Sequence, residues 1–406
     1  MIPKSANTVI IGGGVFGTGA AFHLSDAGQE DVVLLDRGPI ASGTSPQAAG
    51  QTGYLNVDPF AFEFGKYCAE FFEDFEQRTG RAIDFRQTGS LRVALTEKFK
   101  DELEASAAVP HLKNEVEFIS PDKARELVPT FAPPADCRIL SIPQDGYVEP
   151  KSVAVAFAAA AADRGVEIRT RTEATGLLVE DGRVTGVETA DGTIEAKWVV
   201  LAAGAWVRQF GHRLGLNLHT VAVRHQAFDT GPIGDVSPGQ PIVRITEPQI
   251  YVRPEAGGLL VGGYGYRPLS FDMDDFDRRF EISALEADPI YYQQLRDAAT
   301  AFFPALSDAT IVRERRGLPT MTPDGRLILS EPAGLKGLIV LSGCCVGGVN
   351  RSPGTGRIVA DIICGREPWI DASVLRVDRF GDDYPTDASL RAHCEEFYAH
   401  QYHSIH

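Results

Sequence analysis

The sequence predicts an α/β fold in which a parallel sheet with helices is joined to a second part built on an antiparallel sheet. Three observations predict it. At the N-terminus an apolar strand, a glycine-rich turn, a helical stretch and another apolar strand follow one another. Between residues 167 and 200 the pattern changes to short alternating strands separated by Asp-Gly turns. From residue 337 a fully apolar strand returns and is followed by a helical stretch.

The N-terminal unit begins with the apolar run 8–11 and continues through a helical stretch to Ala27, with Gly28 as its stop. A second buried strand follows at 31–36. Because a helix between two strands makes a crossover connection, the two strands are expected to lie parallel in one sheet.

The turn of this unit carries Gly12, Gly14 and Gly17 in the spacing G-x-G-x-x-G. The first glycine suits the tight turn, the second lets the backbone approach a pyrophosphate, and the third lets the helix pack on the strand. Asp36 ends the next strand, where a carboxylate can accept hydrogen bonds from a ribose diol. The combination predicts dinucleotide binding rather than a structural glycine turn, and the acid favours FAD or NAD(H) over NADP.

The later elements are predicted from the same kinds of pattern. Residues 167–200 form a β-meander with hairpin turns, and residues 221–316 form a polar region in which 251–254 and 257–263 are adjacent strands. The strand 337–342 precedes a helix that Ser352-Pro-Gly-Thr-Gly opens and that runs through Ile363. This helix start could hold a negative charge before it, or could be a plain capped helix.

Length and charge exclude several classes of protein. A chain of 406 residues favours two domains with a cleft between them. The net charge of -16 argues against nucleic-acid and anionic-membrane partners. The longest apolar stretch, 153–162, reads as a buried helix rather than a membrane span, and the first residues lack a secretion pattern. Six scattered cysteines indicate a cytoplasmic protein, and no metal site is expected.

Seven motifs occur in a fixed order along the chain: 12–17, Leu35-Asp-Arg-Gly38, 41–50, 199–206, His225-Gln226, Met321-Thr-Pro-Asp-Gly325 and 352–356. Over roughly residues 7 to 380 the chain resembles the amino-acid and sarcosine oxidase group of flavoproteins, the D-amino-acid oxidase superfamily. Its His225-Gln226, Tyr251-Val-Arg-Pro and 321–325 motifs are most similar to the dimethylglycine and sarcosine oxidase or dehydrogenase branch.

The resemblance implies a Rossmann-like FAD-binding domain of the glutathione-reductase type, with an antiparallel-sheet substrate domain covering the flavin. The FAD domain is expected at 1–57, 148–222 and 317–380, the substrate domain at 58–147 and 223–316, and a C-terminal tail at 381–406. The histidines His400, His403 and His406 of this polar end are expected to belong to a solvated tail and not to be metal ligands. The expected FAD-binding residues are Gly12, Gly14, Val15, Phe16, Gly17, Asp36, Arg37, Ser42, Gly43, Thr44, Gln47, Ala48, Ala49, Gly50, Gln51, Ala203, Gly204, Trp206, Gly347, Gly348, Val349 and Asn350.

Departures from the family pattern matter as much as the matches. Gln47 stands where the dimethylglycine branch has a flavin-linking histidine, and Gly317 aligns with a flavin-linking cysteine of monomeric sarcosine oxidases. We therefore predict noncovalent FAD. Leu260 replaces a lysine that aids reaction with oxygen, which puts rapid oxygen use in doubt. Asn350 and Pro319 replace the lysine and arginine that bind the carboxylate in other branches, so a different group must hold any carboxylate.

Candidate carboxylate anchors are Arg253, Arg316 and Arg351, because a guanidinium offers a fork matched to a carboxylate. Arg351 adjoins the flavin loop, and Tyr54 is a further expected substrate contact. For any one arginine the alternative is a structural or surface ion pair. A substrate without a carboxylate stays open.

His225 and Tyr251 are the expected catalytic pair, because the dimethylglycine branch places a histidine and a tyrosine at these motif positions facing the substrate nitrogen. Oxidation needs the free-base amine, so a nearby proton acceptor assists the step. The alternative is a histidine satisfied by backbone groups and a core tyrosine. Adjacent Cys344 and Cys345 are expected to be inert thiols.

The sequence thus predicts an FAD-dependent oxidoreductase that oxidises the C–N bond of a small secondary or tertiary N-methyl amine or amino acid. Hydride passes to the flavin, and the imine is hydrolysed to an aldehyde and an amine. Oxygen or an electron-acceptor protein takes the electrons, and an oligomer is compatible with the sequence. Alternatives are the flavin subunit of a hetero-oligomeric dehydrogenase, a D-amino-acid oxidase or dehydrogenase, and a noncatalytic FAD-binding scaffold.

Overall fold

The computed structural model describes residues 2–53, 55–113, 115–277 and 279–402 of the chain. In these residues the helices are α1 Val15–Asp26, α2 Pro59–Thr79, α3 Glu97–Ala107, α4 Pro121–Leu127, α5 Pro150–Ala162, α6 Val207–Arg213, α7 Pro289–Thr300, α8 Gly348–Ile363 and α9 Asp387–Ala399. The strands are β1 Ser5–Ile11, β2 Val32–Leu35, β3 Gln51–Thr52, β4 Ser90–Ala94, β5 Glu117–Ile119, β6 Arg138–Ile142, β7 Gly146–Tyr147, β8 Glu167–Arg169, β9 Ala174–Glu180, β10 Arg183–Thr189, β11 Gly192–Leu201, β12 Val221–Val223, β13 His225–Thr230, β14 Ile242–Ile245, β15 Ile250–Glu255, β16 Gly258–Gly263, β17 Ser270–Phe271, β18 Ile311–Gly317, β19 Thr320–Met321, β20 Ile328–Ser330 and β21 Leu338–Ser342.

The first large sheet has the strand order β20-β21-β11-β1-β2-β8, with β10 and β9 extending from β11. The pairs β21–β11, β11–β1, β1–β2 and β2–β8 are parallel, as the strand–helix–strand pattern predicted. Strands β9, β10 and β11 pair antiparallel, which confirms the predicted meander. Helices α1, α5 and α8 cover one face of this sheet, and their apolar side chains form one core with it.

Close backbone packing holds α1 against its neighbours. A Cβ added to Gly19 would lie 2.8 Å from the Ser352 backbone oxygen of α8, and one added to Gly356 of α8 would lie 2.5 Å from the Gly19 oxygen. Only a residue without a side chain allows the two helices to approach this closely. The predicted α/β fold is confirmed, and α1 and α8 are positioned together at one end of the sheet.

The second large sheet has the order β18-β13-β16-β15-β14-β4-β6-β5. Strands β15 and β16 are antiparallel neighbours, as predicted for 251–254 and 257–263. Leu91, Val243, Val252 and Val261 of this sheet are buried in a core with α7. Because side chains alternate along a strand, Arg92, Arg244 and Tyr251 belong to the opposite face. The sheet therefore has one apolar face and one face that carries polar groups.

Helix α8 begins at Gly348, earlier than the predicted start at Ser352–Gly354. Pro353 lies inside the helix and cannot donate the backbone bond to the Val349 carbonyl that a residue there would normally make. The Ser352 hydroxyl donates to this carbonyl oxygen at 2.8 Å instead. A Ser-Pro pair is typical of a helix start, but here it lies inside the helix. The serine hydroxyl replaces the hydrogen bond that the proline cannot make.

The segment from 381 onward is not the solvated tail that we expected. It contains α9, whose N-terminus is capped by Thr386 and whose Leu390, Cys394 and Tyr398 are buried. These side chains pack with Val221 and Tyr251 in one cluster. Of the three histidines assigned to the tail, His400 bonds to the backbone of α9, whereas His403 and His406 lie outside the described residues. The tail expectation is corrected, and α9 belongs to the folded structure.

None of the helices in the described residues has the length and apolar character needed to cross a membrane. All six cysteines are free thiols. The boundaries of the two expected domains stay predictions.

Candidate active site

One cavity, of about 170 Å³, lies where the ends of β1, β11 and β21 meet the polar face of the second sheet. The loops 14–16, 44–51 and 346–350 line it, together with His225, Tyr251 and Tyr264 of the second sheet. The loops come from the glycine motifs, and the aromatic residues come from the region predicted as the substrate domain. The cavity therefore brings together the residues expected to bind a dinucleotide and those expected to act on a substrate.

The glycine-rich turn has the close backbone contacts that a dinucleotide-binding turn requires. A Cβ at Gly12 would lie 2.4 Å from the Ala202 oxygen, and one at Gly17 would lie 1.8 Å from the Gly12 oxygen. A Cβ at Gly14 would meet nothing closer than the Ser45 hydroxyl at 3.2 Å, because Gly14 lines the cavity. Gly14 caps α1 without a side-chain bond, so the positive end of the helix is turned towards the cavity.

Asp36 lies beside this turn. Its two carboxylate oxygens accept hydrogen bonds from the Gly13 and Gly38 backbone N–H groups at 2.5 and 2.6 Å. Burial raises the pKa of Asp36, while these N–H groups oppose the shift. Each carboxylate oxygen has a further lone pair that a ribose hydroxyl can use. Arg37 stacks over the Trp206 ring at 3.9 Å, and neither of these two predicted residues lines the cavity.

The loop 44–51 is held from the second sheet by two buried arginines. Arg253 donates to the Ala49 carbonyl at 2.7 Å, and Arg315 donates to the Ala48 carbonyl at 3.1 Å. Arg315 is also paired with Asp229 at 2.8 Å, and Arg253 with Glu255 at 2.7 Å. Arg253, which we expected to bind a substrate carboxylate, instead uses its guanidinium to position the cofactor loop.

The other two expected carboxylate anchors, Arg316 and Arg351, also do not line the cavity. Arg316 is half-buried on β18 opposite Gln226, and Arg351 of α8 donates to the Cys344 carbonyl at 3.4 Å. Tyr54 lies outside the described residues. These three residues remain predictions as substrate contacts.

His225 connects two tyrosines. Its Nε2 is 2.7 Å from the Tyr251 hydroxyl, and its Nδ1 is 2.8 Å from the Tyr398 hydroxyl of α9. A neutral imidazole has one donor and one acceptor nitrogen, so one tyrosine donates to the ring and the other accepts from it. The ring of Tyr264 lies 5.1 Å from that of His225 and closes the cluster. The predicted pair is thus brought together, and Tyr398 is an addition that the sequence did not suggest.

Burial sets the protonation of this cluster. It lowers the pKa of His225 to about 4, and it raises the pKa of Tyr251 and of Tyr398 well above the ordinary value. At neutral pH the imidazole and both phenols are therefore uncharged. An uncharged, buried wall disfavours an ammonium ion beside it and favours a free-base amine.

The N-terminus of α8 forms another wall of the cavity. Gly347 caps the helix without a side-chain bond, and residues 347–350 all line the cavity. Cys345 and Val346 just before it have positive φ values of 41° and 57°, which costs non-glycine residues about 1 kcal/mol each. The Cys345 N–H donates to the Thr320 carbonyl at 2.8 Å and holds this bend. The positive end of α8 therefore faces the cavity from Gly348, not from Gly354.

The positions where the sequence departs from the pattern of the family it resembles lie in or beside the same cavity. Gln47, Gly317, Pro319 and Asn350 line it. A Cβ at Gly317 would lie 3.4 Å from the Gln47 Cβ, so the two flavin-linking positions of the other branches are neighbours here. Leu260 is fully buried beside Tyr251 and does not line the cavity. Burial raises the pKa of Cys344, which lines the cavity, and raises that of Cys345 to about 11.

Several expected cofactor residues lie behind the lining, and several lining residues were not expected. The expected cofactor residues absent from the lining are Gly12, Gly17, Asp36, Arg37, Ser42, Gly43, Ala203 and Trp206. The lining residues that were not assigned to the site are Ser45, Ala202, Tyr264, Gly317, Leu318, Pro319, Thr320, Ser342, Cys344 and Val346. Position in the motif loops could have suggested Ser45, Cys344 and Val346. The remainder come from strand ends that meet only in the folded chain.

A family model described as FAD dependent oxidoreductase (DAO) matches residues 7–362. The chain is 29% identical over 402 residues to "4-methylaminobutanoate oxidase (formaldehyde-forming)" of Paenarthrobacter nicotinovorans, covering 97% of this chain and 48% of that protein. It is 31% identical over 389 residues to the mitochondrial pyruvate dehydrogenase phosphatase regulatory subunit of Mus musculus, covering 94% and 44%. It is 30% identical over 385 residues to the mitochondrial dimethylglycine dehydrogenase of Rattus norvegicus, covering 93% and 45%.

The chain spans about half the length of these three relatives. Among solved structures, glycine oxidase from Geobacillus kaustophilus superposes with a TM-score of 0.80 at 26% identity, covering 93% of this chain and 99% of that chain. The similarity therefore extends across nearly all of both chains in this case.

Proposed function

Because the chain belongs to the DAO family of FAD-dependent oxidoreductases, we propose that it oxidises the C–N bond of a small secondary or tertiary N-methyl amine or amino acid. The products are an imine and, after hydrolysis, an aldehyde and a shorter amine. FAD supplies the hydride acceptor when it is bound. The relatives named for 4-methylaminobutanoate and dimethylglycine support this choice of substrate class.

The observation that carries the proposal is the contact between His225 and Tyr251 in a cavity that the dinucleotide loops also line. In the tautomer with a proton on Nδ1, His225 donates to Tyr398, and Nε2 accepts the Tyr251 proton. The lone pairs of the Tyr251 oxygen are then available to the N–H of a secondary amine, whereas a free-base tertiary amine has no N–H and meets only the uncharged wall. This arrangement holds an amine as the free base, whose nitrogen lone pair is required for hydride to leave the adjacent carbon.

The test is anaerobic mixing of the purified yellow protein with N-methyl amino acids, cyclic imino acids, D-amino acids and simple amines. Rapid flavin bleaching by an N-methyl member would support the proposal. Bleaching only by D-amino acids would move the assignment to a D-amino-acid oxidase or dehydrogenase. No bleaching by any member would contradict the proposal and favour a noncatalytic role.

Replacing His225 by Asn is expected to lower the rate of flavin reduction severalfold or more, because Asn cannot bond both tyrosines in the same geometry. Stopped-flow absorbance measures this rate directly. An unchanged rate would remove His225 from the mechanism.

A second candidate is the flavin subunit of a larger dehydrogenase that passes electrons to a partner protein. Leu260 motivates it, because a buried leucine occupies the position of the lysine that aids reaction with oxygen in similar oxidases. Slow recolouring in air together with activity on an artificial acceptor would favour this candidate. Fast peroxide production by the chain alone would count against it.

A further inference from the structure

A second, smaller cavity of about 50 Å³ adjoins the polar face of the second sheet. Two arginines, Arg92 and Arg244, line it together with Tyr402, and Glu102 also contributes to its lining. By contrast, the described residues that line the larger cavity include no arginine or lysine. The smaller cavity therefore offers guanidinium groups in its lining that could neutralise an anionic group of a substrate, which the described lining of the larger cavity does not.

Strand register places both arginines in line with Tyr251. Arg244 is the partner of Tyr251 across β14 and β15, and it is also the partner of Arg92 across β14 and β4. Paired residues on neighbouring strands point to the same face of a sheet. The two guanidinium groups therefore belong to the face from which Tyr251 enters the larger cavity.

The charges around the two arginines do not balance. Arg244 pairs with the buried carboxylate of Asp145 at 2.9 Å. Arg92 donates only to the Leu55 carbonyl, at 3.4 Å, and its buried Nε has no hydrogen-bond partner among the described residues. Burial, and then the neighbouring Arg244, lower the pKa of Arg92 to about 10, so Arg92 is charged at neutral pH. Glu102 is half-exposed and lies 3.9 Å from Lys98, so it is a weak counter-charge for them.

The smaller cavity is separated from the catalytic pair by single side chains. Arg244 Nε donates to Gln51 Oε1 at 2.8 Å, and Gln51 lines the larger cavity. On the other side, the Tyr402 ring lies 5.1 Å from that of Tyr264, which in turn lies 5.1 Å from His225. Residues that line the smaller cavity, Arg244 and Tyr402, are thus in contact with Gln51 and Tyr264, which line the larger one.

We propose that Arg92 and Arg244 bind the carboxylate of the substrate, which makes the substrate an N-alkyl amino acid rather than a simple amine. This proposal rests on the proposed function. The reacting nitrogen lies at Tyr251, and the carboxylate extends towards β14 and β4. Two guanidinium groups with one buried counter-charge retain a net positive charge that a carboxylate neutralises, and their planar forks match its geometry.

The test uses binding rather than turnover. Trimethylammonio-acetate, -propanoate and -butanoate have no nitrogen lone pair, so they cannot be oxidised by the proposed chemistry. Their Kd values for the FAD-loaded protein are measured by isothermal titration calorimetry and compared with that of butyltrimethylammonium, which lacks the carboxylate. We expect at least one carboxylate member to bind roughly tenfold or more tightly than the cation, which corresponds to one charge-assisted contact.

Arg92→Met is expected to abolish this preference while leaving the Kd of butyltrimethylammonium unchanged, and Arg92→Lys is expected to keep part of it. Arg138→Met is the matched control, because Arg138 is a half-buried arginine of the same sheet that pairs with Glu104 and lines neither cavity. Equal Kd values for the carboxylates and the cation in the wild type, or an undiminished preference in Arg92→Met, would overturn the proposal.

The two proposals fail in different ways. If no amine bleaches the flavin but the carboxylates still bind through Arg92, the anion site stands and the proposed function does not. If N-methyl amino acids bleach the flavin and Arg92→Met leaves their affinity unchanged, the proposed function stands and the anion site is wrong.

Discussion

Arginines could be identified from the sequence as candidate site residues, but the groups that they bind could not be predicted. Three of them, Arg253, Arg316 and Arg351, were considered as carboxylate anchors, yet Arg253 and the unassigned Arg315 hold the backbone of the cofactor loop. A signal was present on β15, where Tyr251, Arg253 and Glu255 alternate with apolar residues. It was absent on β18, where residues 313–316 are all charged. An arginine within such an alternation projects from the polar face. Only the folded chain shows which group each guanidinium meets.

Tyr398→Phe is expected to lower the flavin reduction rate roughly 3- to 10-fold, the equivalent of one neutral hydrogen bond. The phenol fixes His225 through Nδ1, and its loss leaves the imidazole free to change tautomer. The substrate Kd is expected to stay unchanged, because Tyr398 does not line the cavity. Stopped-flow reduction at several substrate concentrations separates the rate constant from the Kd.

Tyr266→Phe is the control for this substitution. It also removes one hydrogen-bonded phenol, but that phenol bonds the Pro248 carbonyl outside the cavity. An equal fall in rate for both variants, or a change in Kd alone, would show that Tyr398 acts only through general stability.

The lowered pKa of His225 predicts a loss of stability in acid. The unfolded chain takes up a proton near the ordinary histidine pKa of 6.5, whereas the folded chain resists it until about 4. Stability is therefore full above pH 6.5 and falls as the pH drops towards 4, by about 3 kcal/mol for this one residue. Urea unfolding of the wild type and of His225→Asn at pH 7 and pH 4.5 measures the difference. Parallel losses in both proteins would contradict the assignment.

At the scale of elements, α8 shows how a familiar motif misleads. Ser-Pro is typical of a helix start, yet here the pair lies more than a full turn inside the helix, since Ser352 bonds the carbonyl that Pro353 leaves without a donor. The sequence was enough to predict the strands and helix of the N-terminal unit, the meander and the β15–β16 pair. Each of these depends on a local periodic pattern of apolar residues. The start of α8 was not, because it depends on a side-chain bond.

Ser352→Ala is expected to destabilise the fold by about 1–3 kcal/mol, because the buried Val349 carbonyl loses its donor. In a Pro353→Ala background the same substitution is expected to cost little, because an alanine in place of the proline restores the backbone N–H. Denaturant unfolding of the four proteins in this cycle gives the coupling. Equal costs of Ser352→Ala in both backgrounds would contradict the role of the hydroxyl.

At the scale of the whole molecule, the order of motifs was enough to predict the family and the FAD cavity. It was not enough to predict that α9 supplies part of the site, because the residues before it are polar and its apolar positions are few. Contacts between distant segments, such as Tyr398 with His225, leave no local pattern in the sequence. On the side of the cavity formed by the second sheet, His225 and Tyr251 could be predicted from their motifs, whereas Tyr264 and Tyr398 could not.

The protein is expected to release all of its FAD on acid precipitation, leaving a colourless pellet. The neighbouring positions that carry the covalent link in other branches are here Gln47 and Gly317, neither of which offers a nucleophile. Absorbance of the supernatant and of the redissolved pellet measures the distribution. A yellow pellet would contradict noncovalent binding, and Cys344→Ser would then show whether the one thiol in the described cavity lining forms the bond.

The contact between His225 and Tyr398 joins residues 173 positions apart. The glycine turn, by contrast, closes on Asp36 over a span of 23. During synthesis the turn is therefore complete long before the ribosome has made Tyr398, and closing the longer loop costs more chain entropy. The contact of the glycine turn with Asp36 can thus form early, whereas His225 gains its Tyr398 partner only after residue 398 has been made.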